Sequence, residues 1–211
     1  MKRKKITVGI EYLLRMMLNI LPVVFWLCLI YSFDNPTVAS ITVLAMIIHE
    51  FGHIACIFIL TGDFYLPRGD LTGLRIVKNK MATYLHQLLL YASGIISNLV
   101  AVIIVFSLPC ARNSFIELFI TINLATALSN LLPVEGYDGY KILVLAVDYF
   151  NLNSIAYFAV EIISFTVSFV TSVMALFFVY NIGNGYWIMG IFVFTIIIKL
   201  QKWQKHENER I

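Results

Sequence analysis

Long runs of apolar residues, separated by short clusters of polar and turn-forming ones, recur along almost the whole chain. A helix that crosses a bilayer needs roughly 20 consecutive, mostly apolar residues. Six stretches reach or approach that length, at about 12–33, 37–60, 86–108, 113–132, 157–180 and 185–200. The pattern predicts an all-α polytopic membrane protein of about six transmembrane helices. No stretch is left for a separate soluble domain, so residues 1–211 read as a single integral membrane domain. A basic start followed by an apolar run also describes a signal peptide. The run at 12–33 exceeds the usual apolar core of one and lacks a small-x-small cleavage site, so it is read as an uncleaved first span.

Two segments depart from the pattern. Between the second and third predicted spans, residues 62–78 mix apolar and aromatic positions with Gly62, Pro67, Gly69 and Gly73. That mixture suggests a short β-hairpin at the membrane surface, with an irregular loop as the other reading. After Asn130, the residues Pro133, Gly136 and Gly139 interrupt what would otherwise be a continuing helix. Non-helical backbone at membrane depth is tolerated only where protein buries it or where it lines a water-filled cavity. The break therefore marks a candidate site.

Composition strengthens the membrane assignment: 60% of residues are hydrophobic and 13% charged, against about a quarter charged in soluble domains. The formal net charge of +3 matters less than its placement, because basic residues beside spans tend to stay cytoplasmic. Lys2 to Lys5, then Arg68, Arg75, Lys78 and Lys80, then Lys141, then Lys199, Lys202, Lys205 and Arg210 share one side of a six-span arrangement. The opposite loops, around Asp34–Pro36, Arg112–Asn113 and Asn181–Gly183, hold Arg112 alone. Both termini are accordingly predicted to be cytoplasmic. Cys28, Cys56 and Cys110 are odd in number and form no Cys-x-x-Cys pair, so they read as small buried hydrophobes rather than a disulfide framework.

The chemistry is concentrated in His49-Glu50-Phe51-Gly52-His53, inside the second span. On a helix, residues four apart share a face, so His49 and His53 can direct imidazole nitrogens at one metal ion. Glu50, on the neighbouring face, suits a general base acting on metal-bound water. Ionisable groups at this depth are expensive and functional by default. A helix-binding polar cluster or an ion path would use the same groups without needing this spacing. A catalytic zinc keeps three protein ligands and one open position, so one ligand must come from elsewhere. Asp138, at the break ending the fourth span, is the candidate, since both segments carry their polar residues toward the cytoplasmic side. Glu135 is its nearest rival, with a solvated charge at the helix end as the plainer reading. His86, His206, Arg15, Glu117 and Glu161 fall at predicted span ends or outside the spans, where solvation or snorkelling accounts for them.

A His-Glu-x-x-His in an apolar span, followed about 80 residues later by Asn130-x-x-Pro133-x-x-x-x-Asp138-Gly139, resembles the site-2 protease family of intramembrane zinc metalloproteases, and in particular its small, sporulation-type members without an appended soluble domain. The resemblance covers residues 37 to about 142, and implies a three-helix catalytic core formed by the second, third and fourth spans. It implies one Zn2+ per chain held by His49, His53 and Asp138 between the second and fourth helices, with Glu50 as the base. Asn130 and Asn98 would contact substrate. The family's Gly-Pro-x-x-Asn element is represented by Gly94-Ile95-Ile96-Ser97-Asn98, without the proline. The implied activity is regulated intramembrane proteolysis of a membrane-anchored protein, in a bacterial plasma membrane. The site would open to the cytoplasm, a regulatory membrane partner is left open, and no nucleic acid is involved. A metal-ion transporter and a catalytically silent scaffold with the same metal site are the alternatives.

Overall fold

The computed structural model describes residues 35–62, 68–70, 73–75, 83–109 and 113–182, together with Cys28, Tyr31 and Ser32. The first predicted span therefore lies outside the described residues, apart from those three positions, and the sixth lies outside them entirely.

The first described helix, α1 (Pro36–Thr61), starts where the Asn35 side chain accepts from the Thr37 N–H and Pro36 takes the first turn, a position that does not need its missing donor. It stops at Gly62, whose left-handed backbone (φ 71°) closes the last turn. Helix α2 (Tyr84–Ser107) is capped by Thr83, which accepts from the His86 N–H. Helix α3 (Ser114–Leu131) is capped by Asn113, which accepts from the Ile116 N–H. It ends just before Pro133, which disfavours helical backbone in the residue before it. A short helix, α4 (Asp138–Tyr149), and a long one, α5 (Ser154–Ile182), follow.

Among the described residues, α1, α2, α3 and the Ser154–Met174 part of α5 are long and apolar enough to cross a membrane. These are the second to fifth predicted spans. Within the 62–78 segment, β1 (Arg68–Asp70) and β2 (Gly73–Arg75) pair antiparallel, with Arg68 opposite Arg75. This ladder is too short to form a layer of the fold. Among the described residues, then, the structure shows four candidate spans, one short helix and this small ladder, and neither six spans nor a hairpin beyond these three-residue strands is supported. The short helix arises because Pro133 ends α3 while Gly136 (φ 100°) turns the chain, leaving 138–149 to start a new helix.

The helices pack α1 on α2 and α3, α2 on α3 and α4, and α4 on α5. Their outer faces carry large apolar side chains, among them Phe51, Ile59, Ile103, Phe106, Leu128 and Phe169. Their inner faces bury Thr42, His49, His53, Asn98, Asn123, Asp138, Ser164 and Ser168. A soluble protein sorts its residues the other way. An apolar exterior around a hydrogen-bonded polar interior is the arrangement expected of an integral membrane protein, whose backbone polar groups must be satisfied within its own helices.

The break between α3 and α4 is built in, not loose. Val134 is fully buried and packs with Leu132, Tyr137 and Val167. The Glu135 N–H donates to Ser164 Oγ at 3.1 Å, and the Tyr140 hydroxyl donates to Glu161. Any side chain at Gly139 would collide with the Leu131 carbonyl, so the start of α4 lies directly against the end of α3. Glu161, in the early turns of α5, is exposed and also accepts the Tyr140 hydrogen bond from α4.

Candidate metal centre

His49 and His53 sit one turn apart on α1, and Asp138 is the first residue of α4. The fold brings all three together, buried to within a few per cent. His49 Nε2 and His53 Nε2 are 3.2 Å apart, and Asp138 Oδ2 lies 3.1 Å from the first and 3.0 Å from the second. These residues form a group that could hold a metal ion. Asp138 thus joins the histidines from the start of the short helix that follows the break.

The geometry can be tested against such an ion. Zinc bound tetrahedrally at roughly 2.0–2.2 Å from nitrogen and carboxylate oxygen sets its ligand atoms about 3.3 Å apart. The observed triangle of 3.0 to 3.2 Å is close to that. The donor chemistry points the same way. His53 Nδ1 donates to the Leu90 carbonyl at 2.8 Å, and a carbonyl only accepts, so Nδ1 carries hydrogen and the neutral ring presents a bare Nε2. Two imidazole nitrogens and a carboxylate oxygen facing one another at this range repel unless positive charge lies among them. A proton shared by the cluster or a metal ion would supply it.

The other atoms of these side chains are held from behind. Asp138 Oδ1 accepts from Lys141 Nζ at 2.9 Å, so one carboxylate oxygen faces the imidazoles and the other faces an ammonium group. Lys141 also lies 5.6 Å from the centre of the Tyr91 ring. His49 Nδ1 lies 3.1 Å from Asn98 Oδ1. Asn98 in turn donates to the Ala45 carbonyl at 3.0 Å and to Asn123 Oδ1 at 2.9 Å, and Asn123 donates to the Phe119 carbonyl at 2.9 Å. Ser93 Oγ donates to the Leu90 carbonyl and lies 3.3 Å from His53 Nδ1.

The Gly94-x-x-x-Asn98 spacing now has a physical reason. Both residues sit on the face of α2 that meets α1. A side chain at Gly94 would come within 2.6 Å of His49 Cε1 and His53 Nε2, so only glycine leaves room for the imidazoles. Asn98, one turn on, meets the back of His49. Its hydrogen-bonding groups are taken up by protein partners, His49 among them, and its side chain is fully buried.

Glu50, next to His49, is half-buried. It is not one of the converging donors. Asn130 donates to the Thr126 carbonyl on its own helix at 3.0 Å, and Glu135 lies in the break; neither joins the group of three. Cys56 is half-buried on α1, Cys28 is exposed and His86 is half-buried at the start of α2. Cys110 and His206 lie outside the described residues. Sequence reasoning missed Asn123 and the pairing of Lys141 with Asp138. A polar residue well inside an apolar span was the available signal for the first, and the i, i+3 spacing for the second.

No protein family model and no curated protein matches the chain.

Proposed function

We propose that this protein is a zinc-dependent intramembrane endopeptidase that hydrolyses a peptide bond in or near the membrane segment of a membrane-anchored substrate protein. The observation that carries this reading is the position of the three-ligand group relative to the helix ends. At 1.5 Å of rise per residue, His53 lies about 12 Å inside the Thr61 end of α1, and Leu90 about 9 Å inside the Tyr84 end of α2. The site thus falls within apolar helices but near one end of them. Charge placement supports that end, and both termini, being cytoplasmic. A bacterial plasma membrane fits the compact architecture.

His49, His53 and Asp138 would hold the zinc ion, leaving one coordination position for water or substrate. When bound, zinc supplies Lewis acidity toward the scissile carbonyl and acidifies a coordinated water. Glu50 is the base: its carboxylate takes a proton from the attacking water and delivers it to the leaving amine. Lys141 keeps Asp138 ionised and turned toward the imidazoles. Asn130, at the lip of the break, is the side chain we assign to the substrate backbone. The β1–β2 ladder precedes α2 on the same side and offers a strand edge to an unwound substrate. The peptide must unwind there, because helical hydrogen bonds shield its carbonyls.

Glu50→Gln tests the mechanism. The variant is expected to bind zinc as the native protein does while losing at least a hundredfold in cleavage, within the range general acid–base catalysis contributes. Cleavage would be read by comparing membrane proteomes of cells expressing each form. Undiminished cleavage would sink the mechanism. Zinc flux into proteoliposomes that survives Glu50→Gln would favour a transporter instead.

A further inference from the structure

We infer that Asn98 and Asn123 form a one-way hydrogen-bond relay, anchored on backbone carbonyls of α1 and α3, that locks His49 in the tautomer able to bind metal through Nε2. The inference rests on the metal reading proposed above and concerns residues that touch neither metal nor substrate.

The direction of the relay follows from chemistry alone. A backbone carbonyl can only accept. The Ala45 carbonyl, 3.0 Å from one end of the Asn98 amide, must therefore face its NH2 group. The Phe119 carbonyl, 2.9 Å from Asn123, must likewise face an NH2. Asn123 then presents its oxygen to the second N–H of Asn98 at 2.9 Å. With both N–H bonds of Asn98 committed, its oxygen is the atom that faces His49 Nδ1 at 3.1 Å. An oxygen there requires Nδ1 to carry hydrogen, which in the neutral ring leaves Nε2 with its lone pair toward His53 and Asp138. Reversing any one link would set two donors or two acceptors against each other. Asn98 and Asn123 are each fully buried, so water cannot stand in for a missing partner.

The relay also joins helices. It runs from α3 through α2 to α1, so the orientation of one ligand depends on the packing of all three. Outer partners of metal-bound histidines commonly change metal affinity by about 10- to 100-fold when removed.

The test compares two substitutions of similar size in the full-length protein, with zinc affinity read by chelator competition and folding checked by circular dichroism. Asn98→Leu removes the acceptor and is expected to weaken zinc binding by about 10- to 100-fold. Asn123→Asp keeps an oxygen to accept from the second Asn98 N–H and gives up only the donor to the Phe119 carbonyl, and is expected to bind zinc within a few-fold of the native protein. If Asn123→Asp loses zinc as badly as Asn98→Leu, the two asparagines serve to tie helices together and the relay is refuted; unchanged affinity in Asn98→Leu refutes it as well.

A measurement needing no change near the site stands beside these. In His86→Gln, His206→Gln protein labelled with 15N-histidine and loaded with zinc, both remaining rings are expected to show hydrogen on Nδ1 and metal on Nε2. A zinc-bound His49 with hydrogen on Nε2 overturns the inference even if Asn98→Leu fails to fold. Native protein that binds no zinc would sink the metal reading itself, a result distinct from zinc binding that ignores Asn98.

Discussion

Asp138 divides its carboxylate between two neighbours of different kind, imidazole nitrogens at Oδ2 and the Lys141 ammonium at Oδ1. Without Lys141, Oδ1 would lose its partner and could swing toward the metal or toward Glu50. Lys141→Met is expected to weaken zinc binding by about tenfold, with Lys141→Arg restoring most of the loss, both measurable by chelator competition. The grouping of His49 with His53 was legible in the sequence because helix geometry turns a spacing of four into a shared face. Asp138 was legible because the break that presents it is written in Pro133, Gly136 and Gly139. Lys141 was visible only as a charge that orients the chain in the membrane. The Leu90 carbonyl behind His53 was beyond reach, since a backbone atom has no letter of its own, and Asn98 was seen without its contacts to His49, Ala45 and Asn123.

At the scale of elements, uninterrupted apolar runs predicted α1, α2, α3 and α5 to within a few residues, because a spanning helix in lipid needs little beyond length and apolarity. Helix α4 was harder to see. Its Asp138, Lys141 and Asp148 make it look like a polar exit from the membrane, whereas it folds back against α2 and Tyr149 packs edge-on against Tyr84. The α1–α2 contact depends on small residues on both sides. A side chain at Gly52 would come within 2.6 Å of Ser97 Oγ, and one at Gly94 would press on the imidazoles. Gly94→Ala is therefore expected to abolish high-affinity zinc binding while leaving helix content intact, as circular dichroism and metal analysis of the same sample would show. Retention of native affinity would mean that α2 can back away from α1 without cost.

For the whole molecule, a metal ion held by His49, His53 and Asp138, as proposed, would couple α1 to α4. A ligand that binds only the folded form adds about 2.7 kcal/mol of stability when present at 100 times its dissociation constant. Removing zinc with a chelator is expected to lower the unfolding temperature in detergent. It should also raise hydrogen exchange in 132–149 more than in α2. Equal exchange across the chain would show that Asp138 does not tether its helix through the ion. The coupling has a consequence for how the protein is made. The histidine pair and Glu50 enter the membrane early, while Asp138 follows two further crossings later and comes into place only once α4 has folded back. On the proposed reading, the nascent chain passes through its insertion machinery with an unfinished catalytic centre. Hydrolytic competence then arrives last, when the core that must restrain it is already assembled.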